Sequence, residues 1–330
     1  MGKISMSNEE VCMNIKKVTV AGSGVLGSQI AFQTAFKGFE TKVWLRSDAS
    51  IERAKPFFLR WREAYLQELE ICKLHLLNEP TPAPVANGIF ADMNKVTMKD
   101  IEEKIELVKS LPEKISFSTD MKEAFKDTDL VIEAVAENIE QKKDFYTKLA
   151  PNLEDKTILC TNSSTLLPSM FAEETQRPEK FLALHFANLI WRANTAEIMG
   201  HKQTSKEAFD TVVKFAKDIG MVPLPLHKEQ PGYILNTLLV PLLDAALNLW
   251  GEDIADPETI DLTWKVGTGA PRGPFEIMDV VGVKTVYDVN LLNPESKNPD
   301  STKSKIVTKL KAMLDAGKKG RNTGEGFYKY

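Results

Sequence analysis

The feature that most constrains this chain is a glycine-spaced turn close to its start. A β-branched run at 17–21 leads into glycines spaced Gly-x-Gly-x-x-Gly, and a helical pattern follows over 28–36. Such glycines allow a tight turn, a close approach of a pyrophosphate to the backbone, and close packing of helix on strand. A glycine turn can also simply join a strand to a helix, but a second strand expected at 41–45 favours a dinucleotide site. The residues expected to line that site are Gly22, Gly24, Val25, Leu26 and Gly27.

The composition is that of a globular enzyme. The chain has 330 residues, of which 43% are hydrophobic and 27% charged, and this length is enough for two domains. The formal net charge of −4 gives no reason to expect nucleic acid as a partner. Cys12, Cys72 and Cys160 are scattered and match no metal-ligand spacing. We therefore expect neither a disulfide nor a metal site, and we expect a reducing, cytoplasmic location.

The sequence shows no pattern of a targeting segment or a membrane span. The first fourteen residues are mostly polar, unlike a signal or transit peptide. The longest apolar stretch, 233–250, contains Asn236, Asp244 and Asn248, which favours a buried helix over a transmembrane one. No membrane partner is expected.

Strands and helices alternate after the glycine turn. Repeated β–α units of this kind imply an open, mostly parallel sheet. Further strands are expected at 130–134, 157–160, 181–185, 195–199 and 222–226, with helices at 140–149 and 205–219. The predicted fold class is therefore α/β, with the dinucleotide site on its sheet.

A helical arm is predicted over about 50–110. Apolar residues recur at spacings of three and four from Ile51 to Leu76, which indicates one apolar stripe along a long helix. A second helix is expected from 98 to 108, with Thr97 as its N-cap. Packing of these two helices on each other is the preferred explanation of the stripe. An alternative is that the arm holds the tail of a long cofactor.

The pattern changes at Gln230-Pro231-Gly232, and helical patterns dominate from there on. We expect a polar extension over 1–14, a dinucleotide-binding domain over 15–229 and an all-α domain over 230–330. The apolar helix at 233–250 needs cover on several sides. A subunit interface would supply that cover, so a homodimer is predicted.

His185 is the strongest candidate for a catalytic base among the four histidines. It ends an apolar strand at the carboxyl edge of the sheet, where open α/β sheets bind ligands. Glu197 follows on a neighbouring predicted strand, and an imidazole held by a carboxylate is a common general base. A purely structural His–Glu pair would give the same pattern.

Ser163 and Ser164 follow the strand that ends at Cys160, at the same edge of the sheet. A hydroxyl there could orient a carbonyl or an alcohol, although serines after strands also serve as caps or turn formers. No Gly-x-Ser-x-Gly elbow surrounds them, which argues against a serine hydrolase.

Several short motifs follow one another along the chain. Beside the glycine turn they are Glu133-Ala134-Val135-Ala136-Glu137-Asn138, Asn162-Ser163-Ser164-Thr165-Leu166, His185-Phe186 with Glu197, Pro231-Gly232-Tyr233-Ile234-Leu235-Asn236, Gly273-Pro274-Phe275-Glu276 and Thr323-Gly324-Glu325-Gly326-Phe327-Tyr328. In this order they resemble the L-3-hydroxyacyl-CoA dehydrogenase family, which also includes λ-crystallin and L-gulonate 3-dehydrogenase. The resemblance covers about 16–330.

The resemblance implies a fold and part of the cofactor site. The fold implied is a Rossmann domain whose helical arm contacts the CoA portion of the substrate, followed by a helical domain that dimerises. Glu133 and Lys142 match positions that line the cofactor site in relatives.

The resemblance also implies a catalytic group. His185 would remove the proton from a substrate 3-hydroxyl as hydride passes to the nicotinamide, and Glu197 would orient and stabilise the imidazolium. Ser164 and Asn236 would hold the oxygen and the histidine, with Asn188 in support.

The loop after His185 departs from the family pattern. Relatives usually read His-Phe-Phe-Asn-Pro, whereas this chain reads His-Phe-Ala-Asn-Leu over 185–189, and Leu166-Leu167-Pro168-Ser169 is closer to the λ-crystallin branch. We expect a 3-hydroxyacyl-CoA dehydrogenase with acyl-CoA as its small-molecule partner. The alternatives are a dehydrogenase of a free 3-hydroxy acid such as a sugar acid, and a non-catalytic nucleotide-binding or crystallin-like protein. The presence of all four catalytic residue types argues against the last.

The nucleotide is expected to be NAD or NADP, and the end of the second strand favours NADP. NAD-specific sites hold the ribose 2′-hydroxyl with an acid about 20 residues after the glycines, but Leu45 and Arg46 stand there in this chain. A guanidinium can bind a 2′-phosphate with two charge-assisted hydrogen bonds, and Ser47 could add a donor. Alternatively, Arg46 points to solvent or stacks on the adenine, and Asp48 holds the hydroxyl.

Overall fold

The computed structural model describes residues 13–85 and 87–330, and the chain divides into two compact units. These units are Met1–Ile234 and Leu235–Tyr330, so the division falls a few residues after the boundary expected at 230. Of the polar extension expected over 1–14, only residues 13 and 14 lie within the described ranges, and Cys12 lies outside them.

The first unit is built on one sheet. In the described part of the chain its strands are β1 (Lys17–Ala21), β2 (Glu40–Trp44), β3 (Ser116–Ser118), β4 (Leu130–Glu133), β5 (Ile158–Thr161), β6 (Phe181–Phe186), β7 (Thr195–Gly200) and β8 (Val222–Leu226). Their order is β3-β2-β1-β4-β5-β6-β7-β8. Neighbours from β3 to β6 are parallel, while β7 runs antiparallel to β6 and parallel to β8. The first six strands have the Rossmann order, and the predicted mostly parallel α/β fold is confirmed.

The helices of this unit connect the strands at nearly the predicted places. They are α1 (Val25–Phe36), α2 (Asp48–Leu76), α3 (Met98–Lys114), α4 (Met121–Phe125), α5 (Ile139–Leu149) and α6 (Lys206–Asp218). The sequence did not predict β3 or α4, because elements of three and five residues carry too little periodicity to be recognised. The predicted end of α3 at 108 was also wrong, since Leu111 extends its buried stripe and Pro112 is accommodated in the last turn.

The helical arm consists of α2 and α3, and its predicted N-cap is present. Thr97 and Asp100 form a reciprocal capping box at the start of α3. The apolar stripe of α2 packs on α3, but it also reaches α1, where the rings of Tyr65 and Phe32 lie 4.8 Å apart. Trp61 further contacts Trp191 in the loop after β6, with ring centroids 5.6 Å apart. The arm therefore contacts the segment that follows His185.

The second unit is helical. Its helices in the described structure are α7 (Leu235–Gly251), α8 (Pro257–Thr268), α9 (Pro274–Val281), α10 (Val283–Leu291) and α11 (Thr302–Asp315). Two buried carboxylates organise it: Asp261 accepts the N–H groups of Phe275 and Glu276, and Asp279 accepts those of Phe327 and Tyr328. The last two motifs of the sequence series thus stabilise this unit. Within the described ranges, no helix has both the length and the hydropathy needed to cross a membrane.

Candidate active site

A cleft of about 1050 Å³ opens at the carboxyl edge of the sheet. It lies where the strand order switches between β1 and β4, which is the ligand-binding place in open α/β sheets. The glycine turn, the residues just after β2 and β4, the first turns of α2 and one side of α5 form its walls. Its lining includes Gly22, Ser23, Gly24, Leu45, Arg46, Ser50, Arg53, Phe57, Ala134, Val135, Asp144 and Lys148.

The glycine turn fits a dinucleotide. Gly22 has φ +106° and packs so closely on β4 that a Cβ would lie 2.5 Å from the Ala134 oxygen, and a Cβ at Gly27 would lie 2.5 Å from the Gly22 oxygen. A Cβ at Gly24 would meet no heavy atom within 4 Å. Gly24 is also the N-cap of α1 and gives no side-chain cap, so the first N–H groups of α1 stay available to a phosphate. Val25 and Leu26 form that first turn.

The end of β2 places Arg46 at the cleft, as the sequence predicted, but the serine that accompanies it differs. Arg46 lines the cleft and is exposed. Ser50 and Arg53 of α2 line it as well. Ser47 instead caps α2, and its Oγ accepts the Ser50 N–H at 3.3 Å. Asp48, the first residue of α2, is not part of the lining.

Glu133 and Lys142 lie behind the cleft wall and are both buried. Lys142 Nζ donates to Glu133 Oε1 at 2.6 Å, and the other carboxylate oxygen accepts from Tyr146 and Thr161. The Val135 N–H, at the cleft wall, donates to the same Glu133 Oε1 at 2.8 Å. In this structure the pair therefore supports the backbone of the cleft, and the contact with the cofactor that the resemblance implied for both residues stays a prediction.

His185 and Glu197 face each other across the antiparallel pair β6–β7. They are direct register partners, and His185 Nδ1 lies 3.0 Å from Glu197 Oε2. Both side chains are buried, and the Ile234 N–H donates to the other carboxylate oxygen at 2.9 Å. Because Nδ1 donates to the carboxylate, Nε2 is the ring nitrogen that can accept a proton.

Ser164 lies on the Nε2 side of this imidazole, with its Oγ at 3.2 Å. The Glu137 carboxylate holds the serine loop, because Oε1 accepts the N–H groups of Ser164 and Thr165 as well as the Ser163 hydroxyl. Burial acts to raise the pKa of Glu137, but the Ser163 hydrogen bond and the nearby Lys142 charge outweigh it and lower the pKa. Glu137 thus remains a carboxylate that fixes the loop.

Tyr233 is a site residue to which the sequence analysis assigned no role. Its ring stacks on the His185 imidazole, with centroids 4.5 Å apart and planes 11° apart. Its hydroxyl donates to the Ser163 carbonyl oxygen at 2.7 Å, and burial raises its pKa. Its position within the Pro-Gly-Tyr motif was the available signal, but a motif does not reveal what a side chain contacts.

The two asparagines of the predicted group have different settings. Asn188 is exposed in the loop after β6, directly before Leu189, which has φ +61°. Gln29 Oε1 holds that turn by accepting the N–H groups of Leu189 and Ile190. Asn236 is the second residue of α7 and belongs to the second unit. Its role remains a prediction from the resemblance.

A hydroxyl, an imidazole and a carboxylate thus lie in line on the sheet edge that also carries the dinucleotide cleft. Within the described ranges, no group of three or more His, Cys, Asp or Glu side chains is placed to hold a metal ion. The fold and the site define a nicotinamide-dependent oxidoreductase that acts on a CH–OH group.

The chain belongs to the 3-hydroxyacyl-CoA dehydrogenase family. Residues 78–230 match its NAD binding domain and residues 232–330 its C-terminal domain. The match to the NAD binding domain identifies NAD as the cofactor type, and the preference for NADP inferred from the sequence stays a prediction.

Full-length relatives extend the match over the glycine turn. The human mitochondrial hydroxyacyl-coenzyme A dehydrogenase is 31% identical over 322 residues, covering 96% of this chain and 91% of the human protein. A 3-hydroxybutyryl-CoA dehydrogenase of Clostridioides difficile is 30% identical, covering 95% of this chain and 99% of that protein. A solved diketoreductase, described as acting on dicarbonyl compounds, is 44% identical with a TM-score of 0.80, covering 96% of this chain and all of the other.

Proposed function

We propose that this protein interconverts a 3-hydroxyacyl-CoA and the corresponding 3-oxoacyl-CoA. The observation that carries the proposal is the line from Ser164 Oγ to His185 Nε2 and from His185 Nδ1 to Glu197. The names of the human and clostridial relatives support the acyl-CoA substrate.

The residues of the chain act on the proton of the substrate hydroxyl. In the oxidative direction, His185 Nε2 accepts that proton. A nicotinamide bound in the cleft would supply the acceptor for the hydride. Glu197 stabilises the imidazolium through Nδ1, since a buried carboxylate next to a developing positive charge is a strong electrostatic partner. Ser164 donates a hydrogen bond to the substrate oxygen and fixes its place beside Nε2.

A second candidate function is the reduction of a dicarbonyl compound that carries no CoA. The solved diketoreductase and the altered sequence at 187–189 favour this candidate. The loop that contains this sequence is fixed to the rest of the unit: Trp191 O accepts the Gly88 N–H at 2.9 Å, and Arg192 is paired with Glu68 of α2. A loop held in this way would form a rigid side of the substrate site, and its shape would decide which substrates fit.

One assay separates the two candidates. The rate of reduction is measured with acetoacetyl-CoA, with a free β-diketone and with a free 3-oxo acid, each with NADH and with NADPH. We expect the highest kcat/KM with acetoacetyl-CoA. A higher kcat/KM with the free diketone would contradict the proposal and support the second candidate.

The catalytic assignment is tested in the same assay with His185→Gln. We expect kcat to fall about 10²–10⁴-fold, the usual effect of losing a general base. Calorimetric binding of the dinucleotide serves as the control, and it should be unchanged because His185 does not line the cleft. A variant with a nearly unchanged kcat would remove His185 from the mechanism.

We further propose that a second copy of the chain covers the exposed apolar side chains of the second unit. Leu238 on α7 is 69% exposed and Val266 on α8 is 76% exposed. Groups of exposed side chains of this size are typical of protein interfaces. In a two-fold homodimer the same apolar surface of both copies would form the interface, so each copy would cover the other. The cytoplasmic location inferred from the cysteines stays a prediction, and the human relative is mitochondrial by its name.

A further inference from the structure

We infer that Arg46, Ser50 and Arg53 form a subsite for a 2′-phosphate on the adenosine ribose of the dinucleotide. The chemical class of the ligand is a 2′-phosphorylated adenine nucleotide, so the cleft accepts NADP(H). The inference rests on the cofactor cleft of the proposed dehydrogenase, but it does not depend on which substrate the enzyme reduces.

The residues that follow β2 lie beside the glycine turn. The Gly22 N–H donates to the Trp44 carbonyl oxygen at 2.9 Å, and Ala21 and Trp44 are register partners at the ends of β1 and β2. In dinucleotide-binding folds the adenosine ribose is bound at this point, where an acid at the end of the second strand selects NAD. Leu45 follows β2 here, and it is apolar and only 7% exposed. It cannot accept a hydrogen bond from a ribose hydroxyl.

Two guanidinium groups line the cleft at this place. Arg46 precedes α2 by two residues and Arg53 lies in its second turn, and both are exposed. Arg53 Nη2 donates to Ser50 Oγ at 2.9 Å, which ties the arginine to the cleft hydroxyl. Neither guanidinium forms an ion pair with a described residue, so both charges are available to a ligand.

The nearby acids leave this place with a net positive charge. Asp48, in the first turn of α2, carries one negative charge against the two guanidinium groups, and Asp144, which lines the opposite wall on α5, is paired with Lys148 at 2.7 Å. The N-terminus of the 29-residue helix α2 adds the positive end of its dipole at the same place. A phosphate dianion would therefore meet two guanidinium groups, a hydroxyl and a helix N-terminus.

The sequence alone pointed to Arg46 and Ser47. In the structure Ser50 lines the cleft and Ser47 does not, and Arg53, which has no counterpart in the sequence rule, joins it there. Two guanidinium groups on one phosphate give several parallel charge-assisted hydrogen bonds. A ribose 2′-hydroxyl uses none of this charge, so the phosphorylated form should bind about tenfold more tightly or better.

The experiment measures binding of nucleotide fragments by calorimetry, without any turnover. The probes are 2′,5′-ADP, 5′-ADP, and 3′,5′-ADP, which has the phosphate pattern of CoA. We expect 2′,5′-ADP to bind tightest, with an affinity that falls more steeply with salt than that of 5′-ADP. Arg46→Ala and Arg53→Ala should each weaken 2′,5′-ADP about tenfold or more and leave 5′-ADP unchanged. Arg60→Ala is the matched control, because Arg60 is exposed on the same helix outside the lining.

Three results would overturn the inference. The first is an equal affinity of wild type for 2′,5′-ADP and 5′-ADP, and the second is unchanged 2′,5′-ADP binding in both arginine variants. The third is tighter binding of 3′,5′-ADP, which would mean that the arginines bind the phosphate of CoA. Unchanged 5′-ADP binding shows that a variant is folded. Because no substrate is present, failure here leaves the acetoacetyl-CoA assay unaffected, and the two proposals fail separately.

Discussion

The phenol ring of Tyr233 lies flat on the His185 imidazole, at a centroid distance of 4.5 Å. Tyr233 has φ +55°, a left-handed conformation that a non-glycine side chain adopts at a cost of about 1–3 kcal/mol. Its hydroxyl donates to Ser163 O, and the following N–H, that of Ile234, donates to Glu197. The backbone turn at 233–234 thus contacts His185 and Glu197 directly, and Ser164 through its neighbour Ser163. These contacts stabilise the left-handed conformation of Tyr233.

The stack predicts that Tyr233 positions the catalytic base. Tyr233→Phe keeps the ring and loses the hydrogen bond to Ser163, so kcat should fall less than about tenfold. Tyr233→Leu loses the stack and should lower kcat by about 10²-fold. Steady-state kinetics with a saturating dinucleotide measures both. Equal kcat values in the two variants would mean that the stacking contributes nothing to turnover.

Glu197 is predicted to act through the charge that His185 gains. Glu197→Gln keeps the shape and the contact with the Ile234 N–H but removes the negative charge beside Nδ1. We expect kcat to fall at least about 10²-fold while KM for the substrate changes little, because the interaction matters most when the imidazole is protonated. The prediction fails if KM rises and kcat is kept, since that result would make Glu197 a binding residue.

Removing Arg192 from its ion pair with Glu68 is predicted to lower the free energy of unfolding more than removing Glu68. Arg192 is 37% exposed at its side chain and Glu68 only 4%. Without its partner Arg192 can be hydrated, but Glu68 would remain a buried, uncompensated charge. We expect Arg192→Met to lower the free energy of unfolding by about 3–5 kcal/mol and Glu68→Gln by clearly less.

Urea unfolding of both variants tests this asymmetry, together with the double variant Glu68→Met/Arg192→Met. The double variant should be more stable than Arg192→Met alone, because it removes the stranded charge. A double variant less stable than either single one would show that the pair contributes packing and not charge.

The proposed dimer predicts a clear effect of charge on the second unit. Leu238→Lys should convert dimers into monomers or aggregates at micromolar concentration, since a lysine ammonium cannot be buried unpaired in an apolar interface. Leu77→Lys is the control, because Leu77 is exposed to a similar degree at the end of α2 in the first unit. Analytical ultracentrifugation gives the masses, and a monomeric wild type would refute the dimer.

Lys37 predicts a stability that depends on pH. Its Nζ donates to the Ile89 carbonyl oxygen at 3.0 Å, and burial, with a smaller effect of the Lys104 charge, lowers its pKa to about 8. The unfolded chain keeps this proton up to about pH 10.5, so between pH 8 and 10.5 it binds more protons than the native state. The free energy of unfolding should therefore rise with pH in that window.

The comparison with Lys37→Met isolates the contribution of Lys37 to this pH dependence. The variant has no buried ammonium at any pH. The free energy of unfolding of wild type should therefore rise by roughly 3 kcal/mol relative to that of the variant between pH 7 and pH 10.5. Chemical unfolding at several pH values measures the difference. Parallel curves for the two proteins would show that Lys37 titrates normally in the folded state.

Local patterns in the sequence determined the elements and several of their functions. The glycine spacing, the apolar stripe of α2 and the strand–helix alternation depend on neighbours within a few residues, so the Rossmann sheet, the arm and the helical second part were predicted from them. The sequence also placed Glu197 on a strand next to that of His185, but the antiparallel direction and the register that make the two residues direct partners came from the structure.

Only the tertiary structure decided which side chains meet across long separations in the chain. Tyr233 reaches His185 from 48 positions away, and Arg53 joins Arg46 at the cleft only because α2 begins where β2 ends. Glu133 and Lys142 belong to segments that border the cleft, yet both side chains are buried behind its wall and pair with each other. The physical reason is that burial, ring stacking and charge pairing depend on distances in space, and a pattern of residues along the chain does not contain those distances.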